Sequence, residues 1–260
     1  MLRPRIIPCL LVRDKGLVKT VKFKHGKYVG DPLNAVKIFN EKEVDELILL
    51  DIDATVENRE PDFEMIRNIA IESRMPLCYG GGVKTVEHAK RIISLGAEKV
   101  AISSVALENP HIITEMAQAV GTQSVIVVID VKTKSIFGKK EVVSHNAKKS
   151  TGLNPVEFAR QCEAGGAGEI VMNSVDHDGV MNGYDLTLIK EIREAVTLPL
   201  TVIGGASSLD DLSDLISKFG VIGAAAGSLF VFKGKYKAVL INYPNRVEKQ
   251  TVLNRSGFTY

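Results

Sequence analysis

Eight short apolar runs rich in Val, Ile and Leu, each followed by a stretch of helical periodicity, constrain this chain to one fold class. The runs begin near Arg5, Leu47, Leu77, Lys99, Ser124, Glu169, Leu200 and Ile222. They are uniformly apolar rather than alternating, the pattern of strands buried on both faces of a parallel sheet. Helical stretches follow near residues 32–43, 63–73, 86–95, 112–120, 156–164, 186–195, 209–219 and 233–241. Several open with a capping side chain and a first-turn proline, as at Asp31 and Pro32 or Asn154 and Pro155. This alternation predicts an α/β chain folded as a single closed (β/α)8 barrel over residues 1–241, in preference to an open doubly wound sheet. A barrel of this kind accommodates 260 residues without division. Beyond it, residues 242–260 read as a polar, irregular tail, either a flexible end or a contact segment.

An internal repeat supports the barrel. ELILLDID at 46–53 aligns with EIVMNSVD at 169–176, and PLCYGGG at 76–82 with PLTVIGG at 199–205. Leu95 and Gly96, leading to Ser103 and Ser104, align with Phe219 and Gly220, leading to Gly227 and Ser228. The offset stays at 123 or 124 residues, so two half-barrels of four units each are predicted within one domain.

Lys and Arg total 33 against 31 Asp and Glu, a formal net charge of +2. Such balance gives no electrostatic footprint for nucleic acid or an anionic membrane, so an anionic ligand has to be captured locally. No signal peptide or membrane-spanning run is read, and the three cysteines, Cys9, Cys78 and Cys162, fit reduced core thiols of a cytoplasmic protein.

The glycines at strand ends suggest chemistry. Gly80, Gly81 and Gly82 end the third strand, and Gly204 and Gly205 the seventh; Gly227 and Ser228 end the eighth, with Ser103 and Ser104 as their counterparts after the fourth. Glycines there serve either tight turns or the approach of backbone N–H groups to an anion. Their occurrence at two symmetry-related places favours two phosphate sites, hence a substrate with two phosphates. Asp51, Asp53, Asp130, Asp176 and Asp178 also stand at strand carboxyl ends, where carboxylates are expected to face a substrate cavity. Asp130 is the only charge closing the run VIVVI at 125–129, and a carboxylate between apolar walls serves as acid or base, the alternative being a backbone cap.

At the opposite end, Arg5, Glu46, Lys99 and Glu169 open strands one, two, four and six. On charge alone they read as a structural ring of paired ions. His25, His88, His111, His145 and His177 sit in polar surroundings without metal-ligand spacing, and His177 reads as a solvated loop histidine near the rim. No metal or cofactor is called for.

Taken together, RIIPCL (5–10), LVK (17–19), GGG (80–82), AEK (97–99), KKSTG (148–152) and DHDG (176–179) resemble the cyclase subunit of imidazole glycerol phosphate synthase, nearly to Ile241. The resemblance implies a glutaminase partner on the barrel bottom and ammonia entering through the ring, which turns Arg5, Glu46, Lys99 and Glu169 into a gate. It implies a bisphosphorylated ribulosyl aminoimidazole carboxamide nucleotide at the rim, held by Lys19, Asp51, Gly82, Ser103, Ser104, Asp176, Gly179, Gly204, Gly205, Gly227 and Ser228. Lys19 matches a loop lysine that covers the site.

The family pattern has two catalytic aspartates, and this chain keeps one. Asp130 matches the second; the first falls at Leu11, the half-barrel counterpart of Asp130, and leucine exchanges no proton. Ser103 replaces a usual asparagine and Val180 a usual threonine. This combination, with FKGKYKAVLINYP at 232–244, looks like the paralogous branch of surface-polysaccharide pathways. There the barrel and its glutaminase supply ammonia to a separate sugar amidotransferase. A histidine-pathway cyclase tolerating Leu11 is the second reading. A sugar-phosphate isomerase trails, having no use for a gate.

Overall fold

The computed structural model describes residues 3–134, 138–255 and 257–258. Eight strands run parallel: β1 (Arg5–Arg13), β2 (Leu47–Asp51), β3 (Leu77–Gly80), β4 (Lys99–Ile102), β5 (Val125–Thr133), β6 (Glu169–Ser174), β7 (Leu200–Ile203) and β8 (Gly223–Ala226). Each pairs with the next, and β8 returns to β1 with Gly223 opposite Arg5, which closes the (β/α)8 barrel. Every strand starts within one residue of its sequence-predicted position.

The outer helices are α1 (Pro32–Glu41), α2 (Phe63–Glu72), α3 (Val86–Ser94), α4 (Ser104–Glu108), α5 (His111–Val120), α6 (Pro155–Ala164), α7 (Leu186–Ala195), α8 (Leu209–Phe219), α9 (Ser228–Val231) and α10 (Arg246–Asn254). Their starts follow local chemistry. Asp31 accepts from Asn34 N at 2.9 Å, Asp62 from Met65 N at 3.0 Å and Asp185 from Leu188 N at 3.0 Å, each satisfying an N–H that the first turn leaves free.

The core has two parts, as a barrel requires. Outward-facing residues such as Ile6, Leu49, Ile129 and Val202 pack beneath the helices. Inward-facing Ile7, Cys9, Ile48, Cys78, Ile126, Val128, Val171 and Ala225 fill the barrel itself. Alternation along one strand therefore shows up as two cores, both apolar, which is why the strands read as unbroken hydrophobic runs. Truncating such a residue to Ala is worth roughly 2–5 kcal/mol.

Two sequence expectations need correction. The predicted helix over 233–241 is instead an antiparallel hairpin, Phe232–Lys233 with Ala238–Val239. Gly234 at φ 73° and Lys237 at φ 48° make its turn, and left-handed backbone at both positions ends helical propagation. The eighth outer helix is α10, inside the tail read as irregular. Asn245 and Glu248 form its capping box, Val252 and Leu253 are buried, and Lys249 Nζ lies 2.6 Å from Asp45. Residues 256, 259 and 260 of that tail lie outside the described residues.

Two further hairpins escaped the sequence reading. Gly16–Val21 pairs with Lys24–Gly30 after β1, and Lys140–Ser144 with Lys149–Ser150 after β5. They extend the first strand of each half-barrel and overhang the carboxyl-end rim. Among the described residues no helix is long and apolar enough to cross a membrane.

Candidate functional site

Alternation along the strands stacks the inward side chains in layers from bottom to rim. The lowest layer is the charged ring. Lys99 Nζ lies 2.7 Å from Glu46 and 2.8 Å from Glu169; Arg5 contacts Glu46 and lies 2.7 Å from Glu169. Thr201 joins from β7, its hydroxyl donating to Glu169 Oε1 at 2.5 Å and accepting from Arg5 at 3.3 Å. Burial alone raises the Glu169 carboxyl, but Arg5 and Lys99 more than reverse it, bringing it down to about 2. The ring matches two basic with two acidic side chains, so its formal charges cancel, the arrangement that lets buried charges persist.

Above it the interior is apolar and built of small and medium side chains, including Cys9, Cys78, Ala101 and Ala225. Burial pushes the Cys9 thiol up to about 12 and the Cys78 thiol well above its ordinary value, so both are inert packing groups.

The top layer opens into a cavity of about 540 Å³. Leu11, Lys19, Asp51, Asp130 and Asp178 line it, together with Gly82, Ser103, Ser104, Gly179, Gly204, Gly205, Gly227 and Ser228. Burial pushes the Asp130 carboxyl up to about 7; the Asn173 amide, donating to Asp130 Oδ1 at 2.9 Å, opposes this, and the Asp178 carboxylate adds to it. A buried carboxyl poised near neutrality exchanges a proton readily at physiological pH.

The glycine turns are demanded by close backbone approach. A Cβ on Gly205, at φ 114°, would lie 2.0 Å from Gly183 O, and one on Gly81, at φ 115°, 2.3 Å from Asp51 O. Both turns face the same cavity from opposite half-barrels.

Not every predicted residue faces the cavity. Asp176 and Asp53 do not line it. Asp176 accepts from Thr133 N at 2.8 Å, holding the end of β5. Asp53 pairs with Arg13 and accepts from Asn146 Nδ2 at 3.2 Å, which ties the β5 hairpin across to the ends of β1 and β2. Asp51 lines the wall but is spent largely on caps, accepting from Asp53 N at 3.1 Å and Ala54 N at 3.0 Å and pairing with Arg59 at 3.2 Å. His177 is half-buried with Nδ1 unpartnered among the described residues, not solvated, and His88 stacks edge-on against Phe63. The described residues hold no cluster suited to a metal ion.

Two contributors went unread in the sequence. Asn173 is an uncharged residue near the end of β6, after the apolar run Ile170–Met172, and its signal was its alignment with Leu50 in the repeat. Phe23, at the hairpin tip, lines the mouth. The hairpin is pinned there by Asp178, which accepts from Lys19 Nζ at 2.6 Å and from the Thr20 hydroxyl at 3.0 Å, while its carbonyl accepts from Lys22 N at 2.9 Å.

A closed (β/α)8 barrel with a titratable carboxyl in a rim cavity and a neutral ion ring at the base defines an enzyme-type barrel. The family model described as histidine biosynthesis protein matches residues 5–237. A Vibrio vulnificus protein provisionally named imidazole glycerol phosphate synthase subunit hisF3 is 59% identical over 97% of each chain. A Leptospira interrogans protein provisionally named subunit HisF is 55% identical over 97% of this chain and 99% of its own. The Exiguobacterium sibiricum protein named imidazole glycerol phosphate synthase subunit HisF is 41% identical over 88% of this chain and 91% of its own. The chain belongs to the HisF family.

Proposed function

We propose that this chain is the barrel half of a glutamine-dependent ammonia-transfer pair that no longer closes an imidazole ring. A glutaminase docks on the barrel bottom, and ammonia enters past Arg5, Glu46, Lys99 and Glu169. It leaves at the rim for amidation of a sugar in surface-polysaccharide (lipopolysaccharide O-antigen) synthesis by a separate amidotransferase. The observation that carries this reading is the pairing of Leu11 with Asp130. One wall of the cavity holds a titratable carboxyl, and the equivalent place on the other holds a leucine. Ring closure needs protons moved on both sides of the reacting carbon, and Leu11 moves none. The relatives at 59% and 55% carry provisional names, whereas the 41% relative carries the enzyme's name outright.

At the rim, Gly82 with Ser103 and Ser104, and Gly205 with Gly227 and Ser228, are proposed to hold the two phosphates of a ligand, Lys19 closing over it. The retained cavity and Asp130 support a second reading, a histidine-pathway cyclase that converts the ribulosyl nucleotide and ammonia to imidazole glycerol phosphate. One experiment separates the two. The purified chain is mixed with its glutaminase, and with ammonium and the ribulosyl nucleotide. Stimulated glutamine hydrolysis with almost no imidazole product supports ammonia transfer. Turnover comparable to that of the Exiguobacterium sibiricum HisF assayed alongside selects the cyclase.

A further inference from the structure

Two hairpins beside the cavity mouth form a surface that the site chemistry does not use. Lys24–Gly30 follows β1, and the turn between Phe232–Lys233 and Ala238–Val239 follows β8. They meet where Lys27 Nζ reaches Lys237 O at 3.5 Å and sits 5.2 Å from the centre of the Phe232 ring. Lys22, Lys24, Lys27, Lys233, Lys235 and Lys237 are all exposed, and no Asp or Glu lies in residues 15–30 or 232–247. None of these six lysines pairs with a carboxylate among the described residues, and none lines the cavity. A chain of net charge +2 thus concentrates six positive charges at one place.

The same patch exposes apolar bulk. Tyr236 is 90% exposed and Tyr28 65%, with Val239 and Leu240 half open beside Tyr236. Aromatic anchors within a charged surround are the composition of protein-binding surfaces, the charges steering encounter and the rings supplying contact. The patch adjoins the mouth directly. Phe23, between Lys22 and Lys24, lines the cavity, and Ser228, which opens the segment leading to Phe232, lines it from the other side.

We propose that these paired hairpins are the docking surface for an acidic face of the enzyme that consumes the ammonia. The proposal rests on the ammonia-transfer reading above. Ammonia reaching open water takes up a proton and loses its nucleophilic lone pair, so an acceptor has to seat over the mouth. The mouth's only exposed, unpaired charges among the described residues of these two hairpins are positive, and they select a negative partner.

The test uses the full chain with its glutaminase and a sugar amidotransferase of surface-polysaccharide synthesis, following nitrogen-15 from glutamine amide into the sugar. Two variants probe the patch, Tyr28→Asp with Tyr236→Asp, and Lys24→Glu with Lys235→Glu and Lys237→Glu. With acceptor enzyme below saturation, both are expected to lower transfer at least about tenfold, equivalent to about 1.4 kcal/mol of docking energy. Glutamine hydrolysis should stay unchanged in both, since the glutaminase end is remote and the substituted residues are exposed. The lysine variant should also lose the salt dependence of transfer. Full transfer by both variants overturns the docking surface and leaves the ammonia reading standing. Absence of transfer by the unaltered chain overturns both. Lysine-dependent binding to phosphatidylserine vesicles or single-stranded DNA tighter than to the acceptor enzyme also overturns the proposal.

Discussion

Asp130 on β5 stands opposite Asn173 on β6 and accepts its amide proton at 2.9 Å, while the matching places in the other half-barrel join Leu11 to Leu50. The two pairs share more than register. Leu11 also faces Val18 of the first hairpin, as Asp130 faces Val143 of the second. One half of a near-duplicate barrel therefore carries a hydrogen-bonded acid–amide pair at the cavity wall, and the other carries two leucines.

The raised Asp130 carboxyl gives a pH signature with a fixed sign. Its ordinary value is 3.8 and its folded value about 7, so the fold favours the protonated form. Below about 3.8 both states hold the proton and the group is neutral to stability. As pH rises, the unfolded chain ionises first, so stability falls up to about 7 and is level beyond. Asp130→Asn, isosteric and uncharged, is expected to match the unaltered protein near pH 4 and to exceed it near pH 8. The gain is on the order of a few kcal/mol. Urea unfolding at the two pH values measures it, and a gain confined to the acid side would refute the assignment.

The ring at the barrel base responds in the opposite sense. Glu169, held down to about 2 by Arg5 and Lys99 against the cost of burial, stabilises the fold above its ordinary 4.5 and loses that contribution as pH falls toward 2. Lys99→Met leaves Glu46 and Glu169 facing Arg5 alone. Removing one member of a buried ion network costs about 3–5 kcal/mol. Destabilisation near the lower end is expected, because Lys99 keeps some solvent contact. Denaturant unfolding at neutral pH measures the loss, and carboxyl NMR should show the Glu169 titration moving upward.

Much of this could be read from the sequence, for a physical reason. Barrel strands are buried on both faces, so eight apolar runs were visible, and ring charges stood out because each one opens a run whose middle is apolar. The hairpins were hidden because rim strands lie half in solvent: Lys24–Gly30 carries two lysines, a histidine and two glycines and reads as loop. Helix α10 was hidden by a polar composition that its buried Val252, Leu253 and Lys249 do not announce, although Asn245 and Glu248 are spaced as a capping box. At the site, position alone led to Asp130, which lines the cavity. It misjudged Asp53 and Asp176, since a carboxylate one or two residues past a strand turns to the nearest unsatisfied N–H or guanidinium.

Lys19 and Asp178 are both buried and 2.6 Å apart, and they tie the first hairpin to the end of β6. A double-mutant cycle with Lys19→Met and Asp178→Asn should show coupling of about 1–3 kcal/mol, as for residues in one buried polar network. In the single Lys19→Met variant, amides of Thr20 to Phe23 should exchange with deuterium faster while those of β5 and β6 do not. Equal protection across the hairpin would mean that Thr20 and the backbone contact to Asp178 hold it without the lysine.

The leucine pair offers the most direct reading of what the rim has lost. Leu11→Asp alone introduces a carboxylate into the cavity wall without the amide that accompanies Asp130, and it is expected to hold its proton more tightly, since no amide favours its ionised form, or to remain poorly oriented. Leu11→Asp with Leu50→Asn rebuilds across β1 and β2 the pair that Asp130 and Asn173 form across β5 and β6. One positioned acid or base contributes about a hundred- to ten-thousand-fold in rate. With ammonium and the ribulosyl nucleotide, the double variant is therefore expected to form imidazole product at least about tenfold faster than the single variant. The unaltered chain should stand lowest of the three. The polar replacements remove apolar contacts with the interior cluster and should cost about 1–3 kcal/mol of stability, so the assay is run well below the melting temperature. Equal rates for the single and double variants would show that Asn173 does not position its acid. Robust product from the unaltered chain would show that Leu11 never stood in the way, and would return the protein to imidazole synthesis.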